Sequence, residues 1–107
     1  MASLAEGLSL AEKSGLRGQD VLDVLALGAI ACPMYGVKGP AMIARADYPP
    51  AFPLKHQQKD LRLALTLGQQ VGQELGTCEA ANQAFVKAME EGHADDDFSA
   101  VMEAVAS

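Results

Sequence analysis

The sequence predicts an all-α domain, and three observations predict it. Half of the residues are hydrophobic, and Ala and Leu supply most of them. Aromatics are only 5%, with no Trp. The apolar positions recur at helical rather than alternating spacing, in five to six segments punctuated by Gly and Pro. Ala and Leu favour helix, whereas strands draw on β-branched and aromatic residues. At 107 residues the chain makes one domain, which buries roughly 60–70% of the surface its unfolded form exposes.

The first helix runs from Met1 to Ser14, with Leu4, Leu8 and Ala11 on one face and Gly15 suited to a C-terminal cap. It has no N-cap of its own, as though the helix began upstream. A second runs from about Gln19 to Leu27 and closes at Gly28. In "CPMYGVKGPAMIAR" Gly36, Gly39 and Pro40 predict short or kinked helices. "DYPPAFP" is extended, because proline restricts itself and its predecessor away from helix. The longest helix follows, from about Leu54 to Gln73, about 30 Å. Leu61, Leu65 and Gly68 mark one face, and Leu63 and Leu67 widen the apolar arc enough to predict a central second half. Another helix spans about Cys78 to Glu91, apolar at Ala81, Phe85, Ala88 and Met89, and Gly92 ends it. The last starts after "ADDD", where Asp95 or Asp97 is a natural N-cap, with Phe98, Val101 and Val105 turned inward.

The net charge of −6 argues against nucleic acid, which needs a basic face for phosphate. No apolar run reaches membrane-spanning length, and the first residues lack a basic head with an apolar run. Cys32 and Cys78 stand alone, without zinc spacing, and are expected as small core residues of a reducing compartment. "GVKGP" lacks the spacing of a phosphate loop, and Ser3, Ser9 and Ser99 lack a nucleophile elbow.

The charge is unevenly spread. Between residues 38 and 62 lie five basic residues (Lys38, Arg45, Lys55, Lys59, Arg62) against Asp47 and Asp60, a local balance of +3. The remainder has 3 basic residues against 12 acidic ones, or −9. Lys55, Lys59 and Arg62 follow i, i+4, i+7 on one helix face. Two readings stand: a solvated face that pairs with acids elsewhere, or a face for an anionic ligand. Asp60 resists the first, being a poor mid-helix residue four positions from His56. A hydrogen-bonded structural pair with His56 is expected; a metal half-site there lacks further ligands.

Four blocks carry a resemblance: "SLAEGLSLAEKSGL" at 3–16, "VLDVLALGAIACPMYGVKGPAMI" at 21–43, "YPPAFPLKHQQKDLRLALTLG" at 48–68 and "DFSAVMEAV" at 97–105. Together they resemble the helical C-terminal domain of the β-hydroxyacid dehydrogenase superfamily (6-phosphogluconate dehydrogenase-like), in its glyoxylate/succinic semialdehyde reductase branch. The resemblance implies a Rossmann domain N-terminal to this one and an active site between the two. There an NADPH hydride, in preference to one from NADH, reduces the carbonyl of a small anionic aldehyde. It implies that Lys59 contacts the cofactor, that Phe52 and Asp60 line the site and support catalysis, and that the general-acid lysine lies upstream of Met1. It further implies a homo-oligomer, in the cytoplasm or an organelle stroma or matrix.

The chain departs from that pattern in having no G-x-G-x-x-G on a βα turn. Gly76-Thr77-Cys78 stands where a small residue and Pro are common. By itself the chain is therefore expected to be inactive. A stand-alone, noncatalytic helical module for assembly or partner binding is the competing expectation.

Overall fold

The computed structural model describes residues 1–107. It contains six α-helices and no β-strand: α1 (Ala2–Lys13), α2 (Gly18–Leu27), α3 (Pro33–Ala44), α4 (Leu54–Val71), α5 (Gly76–Glu90) and α6 (Val101–Ala106). A 3₁₀ turn at Phe98–Ala100 leads into α6. The all-α expectation holds, and most boundaries fall within two residues of those read from the sequence.

α1 buries Leu4, Ala5, Leu8, Ser9 and Ala11 along one stripe, which is why the i, i+4, i+7 pattern was visible. It ends as a Schellman motif. Leu16 N–H bonds Ala11 O at 2.9 Å, Gly15 N–H bonds Glu12 O at 3.0 Å, and Gly15 takes φ +86°. α2 and α3 meet where side chains vanish: a Cβ on Gly39 would stand 2.6 Å from Leu22 Cδ1.

α3 is one continuous helix, although short or kinked pieces were expected. Pro33 opens it at the first turn, where its fixed φ suits a helix start. Pro40 lies inside it on an exposed side, and the carbonyl it leaves unpaired belongs to the exposed Gly36. Arg45 closes α3 in the left-handed region, φ 47°, and its guanidinium reaches Glu12 of α1 at 2.6 Å. The prolines of 48–53 then carry the chain out of helix as expected. Tyr48 is buried within that stretch and donates its hydroxyl to Glu103 of α6 at 2.5 Å. Burial and that hydrogen bond push its phenol above the ordinary range.

The core gathers Leu4 and Leu8 of α1, Met42 of α3, Leu54 of α4, Phe85 and Ala88 of α5, and Val101, Met102 and Ala104 of α6. In the last helix and the turn before it, Val101 is buried as expected, while Phe98 and Val105 are only half-buried; Met102 takes a core place that the sequence reading left out.

The second half of α4 is not central. Leu63, Leu67 and Val71 are exposed, at 58, 58 and 68%, and only Leu54 and Gly68 of this helix are buried. Within the chain α4 packs chiefly on α5 and on the turn before α6, so its far side has no neighbour to cover it. The cysteines also differ from expectation: Cys32 is exposed at the N-cap of α3, and Cys78 is half-buried with Sγ 3.7 Å from Leu61 O. No helix is long and apolar enough to cross a membrane.

Candidate functional site

The start of α4 is held by the loop that precedes α6. Pro53 stands at the N-cap and has no capping side chain, so the orphan N–H groups of the first turn need acceptors from elsewhere. Leu54 N–H donates to Asp96 O at 2.8 Å and Lys55 N–H to Ala94 O at 3.0 Å. Phe98 N–H returns a bond to Phe52 O at 2.8 Å. An isolated antiparallel bridge joins Pro53 and Asp97.

Asp97 is the centre of this arrangement. Its Oδ1 accepts from Lys38 Nζ at 2.8 Å and from the Ala51 and Phe52 amides at 3.1 Å each. Oδ2 accepts from the Ser99 amide at 3.1 Å and the Ser99 hydroxyl at 2.6 Å. Burial opposes ionisation of Asp97. The bonds from Lys38, Ser99 and the Phe52 and Ser99 amides outweigh that and hold its carboxyl at about 2. The sequence marked Asp97 as one of two candidate caps, and it does cap the turn. That it also holds a buried lysine was not read. The sole local hint was the D-x-S spacing of Asp97 and Ser99, since Lys38 lies 59 residues away.

Above this base stand the residues singled out for the site. The Phe52 ring is partly exposed, 6.1 Å from the His56 ring and 5.9 Å from Phe98, which meets it edge-on at 80°. Lys38 Nζ lies 5.1 Å from the Phe98 centroid. Further along α4, Lys59 Nζ is 3.0 Å from an Asp60 carboxylate oxygen, both side chains being about half exposed, at 46 and 50%. The expected His56–Asp60 pair is not formed: Asp60 takes its neighbour Lys59, and His56 turns to Phe52. Of the other cations on this helix, Lys55 is engaged by Asp95 at 2.5 Å, while Arg62 has no ion-pair partner. This stretch therefore presents an apolar ring just before α4 and, on α4, a lysine held by an adjacent carboxylate and a guanidinium without an ion-pair partner. Such a surface accepts an anionic group without first having to break a buried ion pair.

The family described as NAD-binding of NADP-dependent 3-hydroxyisobutyrate dehydrogenase matches residues 1–105. The chain belongs to that family. Glyoxylate/succinic semialdehyde reductase 1 of Arabidopsis thaliana is 55% identical over 105 residues, covering 98% of this chain and 36% of the relative. The chloroplastic reductase 2 of the same plant is 51% identical, covering 98% and 29%. Cytokine-like nuclear factor N-PAC of Aedes aegypti is 41% identical over 101 residues, covering 94% and 18%. The chain thus spans about a third or less of the length of these curated relatives.

Among solved structures, 3-hydroxyisobutyrate dehydrogenase from Salmonella typhimurium superposes with TM-score 0.87 at 25% identity, covering 95% of this chain and 35% of that one. The Mycobacterium tuberculosis enzyme, solved with L-serine, gives TM-score 0.82 at 29% identity, covering 98% and 38%. The fold is therefore the all-α C-terminal region of 3-hydroxyisobutyrate dehydrogenase-like enzymes, and the resemblance noted from the four sequence blocks holds.

Proposed function

We propose that the chain is the substrate-side half of an NADP-dependent oxidoreductase that reduces a small aldehyde acid, glyoxylate or succinic semialdehyde, to the hydroxy acid. The observation that carries this reading is the start of α4, where the Phe52 ring stands just before an anchored first turn and the Lys59–Asp60 pair follows on the helix. NADPH supplies the hydride when bound by a dinucleotide-binding domain, and these 107 residues contain no strand from which to build one. Lys59 donates a charge-assisted hydrogen bond to an anionic oxygen of cofactor or substrate. Asp60 keeps the Lys59 ammonium at the helix surface. Phe52 shields the reacting carbonyl from water.

In this reading the 107 residues alone do not turn over aldehyde, because half of the positioning contacts are missing. The functional enzyme is a homo-oligomer of the cytoplasm or of an organelle. The test is the size and activity of the native polypeptide that carries this domain. A mass about three times that of the chain, with NADPH-dependent reduction of glyoxylate or succinic semialdehyde, supports the proposal. Turnover by the 107-residue chain alone contradicts it.

A second reading, a noncatalytic assembly or partner-binding module, is favoured by the same domain occurring in relatives that bear the name nuclear factor. Exposed apolar residues such as Leu27, at 90%, also favour it. A native polypeptide of the chain's own mass, 11.2 kDa, without reductase activity, selects that reading.

A further inference from the structure

Both backbone polar groups of Phe52 are held by two consecutive residues of the loop before α6. Its N–H goes to Asp97 Oδ1 at 3.1 Å, and its carbonyl receives Phe98 N–H at 2.8 Å. Its ring rests on Phe98, whose own ring is approached by Lys38 Nζ. Two residues upstream of Asp97 complete the seat, since Asp96 and Ala94 lend their carbonyls to the first turn of α4. Lys38 in turn ties this loop to α3. Its ammonium donates to the oxygen that accepts the Ala51 and Phe52 amides, and the side chains of Lys38 and Asp97 are only 12 and 3% exposed. Neither residue lies on the exposed α4 face.

We infer that the Lys38–Asp97 pair is a positioning device for that face, setting where the Phe52 ring and the start of α4 stand without touching substrate. The inference rests on the reductase reading for its functional consequence, but not for its geometry. A buried ion pair contributes little to stability compared with an apolar pair of the same volume. Three donors from two separate segments, converging on one carboxylate oxygen, provide something an apolar pair lacks. They fix the distance and direction between α3 and the chain at Phe52, and an anionic acceptor holds them more tightly than a neutral one. Phe98 carries the same constraint to the ring.

The chain contains three phenylalanines, Phe52, Phe85 and Phe98, so fluorine NMR of the fluorophenylalanine-labelled protein reads the device directly. Phe85 is buried in the core and reports whether the fold persists. In Lys38→Met the Phe52 and Phe98 resonances are expected to shift and broaden by more than a linewidth while Phe85 stays in place. Lys38→Arg, which keeps a cationic donor, is expected to return them. The double variant Lys38→Met/Asp97→Asn leaves no lone buried charge and serves if the single variant unfolds. A folded double variant with the Phe52 resonance unmoved overturns the inference.

The functional arm uses the native-length polypeptide. With Lys38→Met or the double variant, kcat for aldehyde reduction is expected to fall about tenfold to a hundredfold, with the KM for NADPH changed by less than about twofold. An unchanged kcat in an active enzyme overturns the positioning role. Absence of reductase activity in the unsubstituted polypeptide overturns the reductase reading instead, and the fluorine spectra then decide whether the device exists.

Discussion

Asp97 and Lys38 form an ion pair at 2.8 Å across 59 residues of sequence, and the carboxylate partner is almost fully buried. Removing the cation alone leaves an anion in the interior with four weaker donors. Lys38→Met is therefore expected to cost about 3–5 kcal/mol. Adding Asp97→Asn should recover part of that loss. Urea denaturation of the two variants beside the unsubstituted chain measures both, and a double variant no more stable than the single one contradicts the argument.

The same carboxyl sets an acid limit. Its folded pKa of about 2 lies below the value of 3.8 that an unconstrained Asp carries. The stabilisation is complete above the unfolded value and is lost as pH falls through the folded one, between about pH 4 and pH 2. The linked loss is about 2 kcal/mol. In Asp97→Asn the portion of the stability loss over this window that belongs to Asp97 should disappear. An unaltered acid profile in that variant assigns the loss to other carboxylates.

Two glycines of α3 make a matched pair. A methyl at Gly39 meets Leu22 Cδ1 at 2.6 Å, whereas one at Gly36 meets nothing within 4 Å. Gly39→Ala is expected to destabilise by about 1–3 kcal/mol through overpacking between α2 and α3. Gly36→Ala should stabilise by up to about 1 kcal/mol through helix propensity. Thermal unfolding of both variants tests the sign as well as the size.

Leu63 and Leu67 are both exposed on α4. Leu63→Glu combined with Leu67→Glu should leave monomer stability within about 0.5 kcal/mol. If a second copy covers this face, the same change lowers the mass seen by sedimentation toward 11.2 kDa. An unchanged assembly with these charges in place removes the face from the interface.

Lys59→Ala, in the native-length polypeptide, is expected to weaken NADPH binding or turnover by about tenfold, as befits loss of a charge-assisted contact. Steady-state kinetics at varied NADPH decide it. Unaltered kinetics return Lys59 to a solvated helix surface paired with Asp60.

Much of the fold could be read from local pattern, because the physics that ends and faces a helix is itself local. Gly15 and Gly92 stop helices with positive φ, and Phe85 and Ala88 are buried where the periodicity put them. What failed was global. Leu63 and Leu67 are as apolar as core residues, and nothing in a helix wheel says whether the same chain supplies a cover. Cys32 is small and apolar enough for a core but falls at an exposed helix start.

The site divides the same way. Phe52, Lys59 and Asp60 came from a contiguous block, yet Asp60 holds its neighbour Lys59 rather than His56, against the i, i+4 spacing that suggested the pair. Lys38 could not be matched to Asp97, since no spacing rule reaches between separate elements.

The two ends of α4 differ in how they are restrained, and hydrogen exchange will grade them accordingly. Near Leu54 the backbone is bonded to the loop before α6, while at the other end Val71 is exposed and the Gln73 N–H bond to Gly68 O belongs to the helix's own C-terminal turn. Amides around Gly68–Val71 should open through local fraying, and those near Leu54 should require a larger cooperative opening. A protein frayed at that distal tip still holds Phe52 in place, so loss of order at one end of the helix is separable from loss of the candidate site at the other.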